Sequence, residues 1–191
     1  MNRIIFYDLE TSGVDTKNDC IIEIGAKDNY GNTFNKLINP ERTISNTIEN
    51  LTGITNSKLK YRHTLEQSYE LINNWFDFEK KNKNYKEVYL IAHNGDKFDL
   101  KFMEKHFNIK CKSIDTLTLF RKLLPNRNSH SIKTLCDIYK IDCSRHHRAL
   151  DDVIILEQLF NKALELYSIK NDIDIDKIKI RDIYDYTYDY Y

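Results

Sequence analysis

The order of its apolar segments constrains the fold of this 191-residue chain more than any other feature. Three short β-rich runs come first, at residues 3–8, 20–26 and 33–38. A Gly-Asn pair gives a hairpin signal between the last two runs, and Pro40 ends the strand pattern. Strand-like and helix-like segments then alternate. Because hairpins followed by such alternation build one sheet with helices packed against it, the sequence predicts a mixed sheet covered by helices.

The later part of the pattern predicts two more strands and five helices. The strands are predicted over residues 88–92 and 111–114. The helices are predicted over residues 64–81, 98–106, 117–124, 131–139 and 149–167. Apolar residues recur at helical spacing in these segments. Thr64 is a suitable N-cap for the first helix, and Pro125 stops the third.

The composition is that of an ordinary globular protein and does not by itself suggest a nucleic-acid binder. Hydrophobic residues make up 41% and charged residues 30%, and the formal net charge is zero. No apolar run approaches the roughly 18 residues of a membrane span, and no signal-peptide pattern opens the chain. The expected location is therefore intracellular, in the cytoplasm. Metal cations at an acidic site would add positive charge that no residue count includes.

Three acidic segments carry the candidate chemistry. Asp8 and Glu10 are two apart at a strand end, so both side chains point to one side and would share a cation, although surface acids at a strand end are the commoner case. Asp99 follows a His-Asn-Gly turn at the start of a helix, where an acid is also favourable for dipole reasons alone. Asp152 lies at the start of the long final helix, and Asp151 is the alternative. Oxygen ligands of this kind suit magnesium or manganese.

Two histidines precede the last acidic pair. On a continuous helix His147 and Asp152 would lie about 140° apart, so His147 must sit in the preceding loop to reach the same site. An imidazole there suits a general base because it titrates near neutral pH. A solvated helix start is the plain alternative for this segment. A zinc site from Cys136, Cys143, His146 and His147 is a further alternative, but structural zinc ligands usually come as tight pairs.

Taken together, the segments FYDLETSG, AHNGDKFDL and HHRALDD resemble the three motifs of the DEDDh (DnaQ-like) 3′→5′ exonucleases. This family includes the proofreading epsilon subunit of bacterial DNA polymerase III. The resemblance covers about residues 3–165. It implies a ribonuclease-H-like α/β/α sandwich with a five-stranded mixed sheet, in which Asp8 and Glu10 lie on the central first strand.

The resemblance also implies the residues of the site. Two Mg²⁺ or Mn²⁺ ions are held by Asp8, Glu10, Asp99 and Asp152. His147 is the general base, since the family spacing to the last Asp selects it over His146. The residues expected to contact the substrate or to shape the site wall are Leu9, Thr11, Thr52, Ile54, Asn94 and Phe98. Many relatives have His where this chain has Thr52, so Ile54 or Leu51 is expected to take over stacking on the terminal bases.

The expected function is hydrolysis of phosphodiesters from single-stranded or frayed 3′ ends of DNA, with release of nucleoside 5′-monophosphates. An exoribonuclease with the same motifs and a catalytically inactive interaction domain are the alternatives. Proofreading would require a polymerase or replication partner. The alternatives for one group of basic residues are a rim that binds the nucleic-acid backbone and a plain solvated face. The group consists of Arg121, Lys122, Arg127, His130, Lys133, Arg145 and Arg148.

The sequence divides into an exonuclease domain at residues 1–167 and a Tyr-, Asp- and Ile-rich tail at residues 168–191. The tail alternates Ile with Asp or Lys, which indicates a weakly ordered terminus or, as the alternative, a strand that needs a partner. Every candidate site residue lies upstream. The sequence alone therefore predicts that hydrolysis of a short oligonucleotide does not need the tail.

Overall fold

The computed structural model describes residues 1–82, 84–144 and 148–189, and these contain one five-stranded sheet. Its strands are β1 (Arg3–Thr11), β2 (Ile21–Asp28), β3 (Thr33–Leu37), β4 (Val88–Ala92) and β5 (Lys112–Asp115). They lie in the order β3-β2-β1-β4-β5. β1 pairs antiparallel with β2 and parallel with β4. The expected mixed five-stranded sheet with β1 at its centre is confirmed.

Helices cover both faces of the sheet. The α-helices of the described residues are α1 (Asn46–Thr52), α2 (Asn56–Leu59), α3 (Leu65–Phe76), α4 (Asp99–Glu104), α5 (Thr116–Leu123), α6 (Ile132–Tyr139), α7 (Ala149–Asn171) and α8 (Ile180–Tyr188). One buried cluster joins the sheet to α3 and α4, and a second joins the opposite face to α5, α6, α7 and α8. The layers are therefore α/β/α. Among the described residues, no helix has both the length and the apolar character that a membrane span requires.

The alternation of β1 places its two acids on one face. Tyr7 and Leu9 are buried in the cluster that includes α3 and α4, whereas Phe6 is buried in the cluster that includes α7. Successive side chains of a strand point to opposite faces. Asp8 and Glu10 therefore share the face of Phe6, on which α7 packs.

Local backbone chemistry explains where the first long helix ends. The predicted N-cap, Thr64, accepts the N–H of Gln67 and completes a capping box. The helix was predicted to reach residue 81 but ends at Phe76, because Asp77 adopts a left-handed conformation (φ 53°) and donates its N–H to the carbonyl of Asn73. Left-handed residues commonly terminate helices in this way. The short helices α1 and α2 were not predicted from the sequence.

The predicted loose or extended tail is wrong. α7 continues to Asn171, and after a 3₁₀ turn at Ile175–Lys177 the chain forms α8. Ile183 of α8 is completely buried, and Ile180 and Tyr184 pack against the same core. These residues recur at three- and four-residue spacing, so the segment has a helical apolar face that the alternation of Ile with charged residues obscures. The boundary between an exonuclease domain and a tail at residue 167 stays a prediction.

Candidate active site

Three carboxylates meet between the central strand and the first turn of α7. Oxygens of Asp8, Glu10 and Asp152 all lie within 4.8 Å of one another. Asp152 is only 2% exposed. Like charges held this closely repel unless a cation lies between them, and hard oxygen donors are what Mg²⁺ and Mn²⁺ prefer. The donor set therefore fits a divalent cation.

Asp99 approaches the same strand from α4, which begins at this residue. Its Oδ1 accepts the backbone N–H of Leu9 at 3.1 Å, and its side chain is buried. Burial raises the pKa of Asp99 to about 7, although the backbone N–H donors act in the opposite direction. Burial, followed by the charges of Asp99, Asp152 and Glu10, also raises the pKa of Asp8 well above its ordinary value. The four sequence-selected acids thus form one electrostatic unit.

The close approach of α7 to the sheet requires a glycine on β2. A Cβ added to Gly25 would lie 2.3 Å from the carbonyl carbon of Ala149, the first residue of α7. No side chain fits at that distance, so Gly25 lets the start of the helix pass directly over the strand. This contact brings Asp152 over β1. Arg148, four residues before Asp152, donates its N–H to Asp152 Oδ2 at 3.1 Å.

Sequence reasoning missed Glu23. This carboxylate is completely buried on β2 and lies opposite Glu10 in the strand register. It accepts two bonds from the Arg148 guanidinium, at 2.8 and 3.1 Å, and one from the backbone N–H of Ala149 at 3.2 Å. A lone acid in the apolar run of residues 20–26 was the available signal, because a buried carboxylate needs a partner. Arg148 was a candidate for the basic rim, but it ties the start of α7 to β2.

The remaining predicted catalytic group precedes α7 in the sequence. His147, its rival His146 and Arg145 lie outside the described residues, so the role of His147 stays a prediction. The zinc alternative depends partly on the same residues. Its two cysteines belong to the core cluster on the α7 face, Cys136 fully buried and Cys143 at its edge. Asp151, the alternative metal ligand, is half-buried beside Asp152.

The turn between β4 and α4 carries the second motif. Asn94 adopts a left-handed conformation (φ 61°), and its N–H bonds to Asp115 Oδ1 at 2.9 Å. His93 Nδ1 lies 2.9 Å from the hydroxyl of Thr116, and burial lowers the pKa of His93 to about 4. The ring of Phe98, just before α4, packs edge-on against the ring of Phe102 within that helix. These contacts fix the turn that leads into Asp99.

The other predicted substrate residues differ in how much surface they offer. Leu9 and Ile54 are buried core residues. Thr52 is also buried, with its hydroxyl donating to the Ile48 carbonyl at 2.9 Å and accepting the N–H of Ile54 at 3.1 Å. Leu51 is 49% exposed. Of the two residues expected to replace the missing histidine, Leu51 thus has apolar surface for a base, and Ile54 supports the loop from inside.

A basic cavity of about 710 Å³ opens beside the second-motif turn. It is bordered by His93 and Asn94 at the turn. Four residues of the candidate basic rim line it, namely Arg121, Arg127, His130 and Lys133. Lys122 points away from this group, since its Nζ donates to the Tyr186 carbonyl at 2.9 Å. The rim is therefore smaller than the group selected from the sequence.

Comparison with known proteins identifies the family. The model of the exonuclease family RNase_T matches residues 5–160. The chain belongs to this exonuclease family. Among its relatives, exonuclease DPD1 of Arabidopsis thaliana is 34% identical over 83% of this chain and 55% of its own length. The PolC-type DNA polymerase III of Caldanaerobacter subterraneus is 31% identical over 85% of this chain, which spans only 12% of that polymerase.

Solved structures confirm the ribonuclease-H-like fold of this chain. Exonuclease X in complex with 5′ overhanging duplex DNA superposes with a TM-score of 0.67 at 22% identity, covering 95% of this chain and 99% of the other. Escherichia coli exonuclease I in complex with a dA16 oligonucleotide gives a TM-score of 0.72 at 16% identity, covering 97% and 43%. The DnaQ-like resemblance of the three motifs is confirmed by the family match and the PolC-type relatives, with which this fold agrees.

Proposed function

We propose that this exonuclease degrades DNA from the 3′ end, acting on single-stranded or frayed ends and releasing nucleoside 5′-monophosphates. The observation that carries the proposal is the cluster of Asp8, Glu10 and Asp152 with Asp99 beside it. DNA is favoured because relatives include DNA polymerases and solved neighbours were obtained with DNA. A role in proofreading or repair, with a polymerase as partner, fits this substrate.

In the proposed mechanism, Asp8, Glu10, Asp99 and Asp152 hold two Mg²⁺ or Mn²⁺ ions. Two such ions supply the positive charge that the scissile phosphate and the departing 3′ oxygen require. The four carboxylates and two divalent cations are together close to neutral. Phosphates beyond the site are then bound by cationic side chains of the protein. The proposed groups are Arg121, Arg127 and Lys133, which border the cavity next to the turn.

His147 accepts the proton of the attacking water in this proposal. A positioned general base contributes about 10²–10⁴-fold to such a reaction. Leu9 and Thr11 of β1 border the terminal nucleotide, and the Thr11 hydroxyl is itself held by a bond to the Gly13 carbonyl at 2.6 Å. The exposed Leu51 contributes apolar surface for the terminal bases.

A single-turnover assay with Mg²⁺ tests the function. The substrates are 5′-labelled linear DNA, linear RNA of the same sequence and a closed circular DNA strand. Linear DNA should shorten one nucleotide at a time from its 3′ end, and the circle should survive. Cleavage of the circle at a comparable rate would overturn the exonuclease assignment, release of the 5′ label as a mononucleotide at the first step would overturn the 3′→5′ direction, and faster loss of RNA would make the protein an exoribonuclease. Asp8→Ala/Glu10→Ala is the control, and activity that it retained would belong to a contaminant.

A further inference from the structure

We propose that Tyr188 of the C-terminal helix α8 is a positioning residue of the active site, which holds the second-motif turn in place for Asp99. This inference rests on the proposed metal-dependent hydrolysis. It assigns a function to the segment that the sequence alone predicts to be unnecessary. The juxtaposition was not foreseeable, because Tyr188 and the turn are 92 residues apart in the chain.

Tyr188 contacts the turn directly. Its hydroxyl donates to Asp96 Oδ2 at 2.6 Å and accepts the backbone N–H of Asp115 at 3.0 Å. The other oxygen of Asp96 accepts the hydroxyl of Ser113 at 2.7 Å. Burial and the neighbouring Asp96 raise the pKa of Tyr188, so the phenol keeps its proton and remains a donor. Both of its hydrogen-bonding capacities are used at the ends of β4 and β5.

These bonds fix the turn at two points. Asp115, held by Tyr188, accepts the N–H of Asn94 at 2.9 Å, and Asn94 has a left-handed conformation that a non-glycine residue adopts at a cost. Asp96, the second point, lies three residues before Asp99. The bond from the Leu100 N–H to the Gly95 carbonyl, at 2.9 Å, closes the turn around both of these residues. A shift of the turn therefore moves the start of α4 and with it the Asp99 carboxylate.

Contacts other than the Tyr188 hydroxyl also hold α8 on the core. Ile183 is completely buried, and the Tyr184 ring packs against Tyr89 and Tyr188. The side chain of Lys122 donates to the carbonyls of Tyr186 and Asp189. Removing one hydroxyl should thus leave the helix in place. Tyr188→Phe isolates the contact with the turn from the contribution of α8 to the core.

The matched control is Tyr186→Phe. Tyr186 lies on the same helix, but its hydroxyl accepts a bond from Lys170 Nζ at 2.9 Å, away from the second motif. Both variants lose one phenolic hydroxyl and keep an aromatic ring. Any loss specific to Tyr188→Phe therefore reports on the turn, and not on the docking of the helix.

The test uses the full chain and measures turnover, the oligonucleotide KM, the Mg²⁺ dependence of activity and Mg²⁺ binding by calorimetry. A misplacement of about 1 Å can cost up to 10²-fold, so Tyr188→Phe should lower kcat about 10-fold and weaken Mg²⁺ binding several-fold. KM should change little, and Tm should fall by no more than a few degrees, because the two groups that bind the hydroxyl lose one partner. Tyr186→Phe should behave as the wild type. Unchanged kcat and Mg²⁺ binding in Tyr188→Phe, or equal losses in both variants, would overturn the proposal. If the wild type proves inactive, the proposed function is refuted. The positioning role of Tyr188 can still be tested in that case, because Mg²⁺ binding by the two variants can be compared without measuring turnover.

Discussion

Glu23 and Arg148 form a two-point ion pair that fastens the start of α7 to β2, with N–O distances of 2.8 and 3.1 Å. The Glu23 side chain is 1% exposed, whereas that of Arg148 is 42% exposed. The buried Glu23 carboxylate therefore needs the ion pair to compensate its charge, whereas the Arg148 guanidinium is also solvated by water. Because the N–H of Arg148 binds Asp152, the same residue connects this buried pair to the cluster of Asp8, Glu10 and Asp152 carboxylates.

Arg148→Ala should lower the free energy of unfolding by about 2–3 kcal/mol, because it leaves a buried carboxylate without its charged partner while the exposed side of the pair moderates the loss. Urea denaturation measures this. Arg181→Ala is the control, since Arg181 is 73% exposed and pairs with Asp185 on the surface of α8. It should change stability by no more than about 0.5 kcal/mol. Equal effects of the two substitutions would show that the Glu23 pair contributes no more than a surface pair.

Asp99→Ala and Asp152→Ala should each abolish hydrolysis and leave the metal-free protein as stable as the wild type or slightly more stable. Removing one of several crowded carboxylates relieves their repulsion. Mg²⁺ should raise the Tm of the wild type and raise that of the variants much less. Asp151→Ala is the control and should keep both activity and the Mg²⁺ effect. Normal turnover of either variant in excess Mg²⁺ would remove that residue from the ligand set.

The metal-free protein should lose stability as the pH rises. The pKa of Asp99 is about 7 in the folded chain and 3.8 in its ordinary state, so the folded protein binds more protons between these values. The stabilisation that protonated Asp99 contributes is fully present below pH 3.8 and is lost as the pH rises through about 7. Thermal unfolding in EDTA checks this from pH 4 to 8. Asp99→Asn should flatten the dependence, and a variant with the wild-type slope would assign the effect to other groups.

His147→Ala should reduce turnover strongly and leave metal binding largely unchanged, because the residue is proposed to act on the water and not to ligate a cation. The rising limb of the pH–rate profile should flatten or move in this variant. His146→Ala should do much less. If His146→Ala proves the more damaging substitution, the register of the third motif is wrong, and Asp151 replaces Asp152 in the proposed ligand set.

The sequence by itself determined the elements whose signals are local. The two-residue period of β1 sets Asp8 and Glu10 on one face, and the cap at Thr64 begins α3 as predicted. Such features depend on neighbours along the chain, so the periodicity, caps and turns of the sequence recover them. The full set of four acids that the structure gathers around β1 came from the resemblance of the three motifs to the DnaQ-like family.

Only the tertiary structure decided how distant segments support those acids. Glu23 and Arg148 are 125 residues apart, and Tyr188 and Asp96 are 92 apart. The local sequence does not name the partner of any of these residues, and their roles arise when helices pack on the sheet and exclude water. A buried carboxylate or phenol must then find a partner, and the partner is whichever polar group the packing brings within reach. For this reason α8, whose sequence alternation indicates a loose end, is part of the folded core and reaches the second-motif turn.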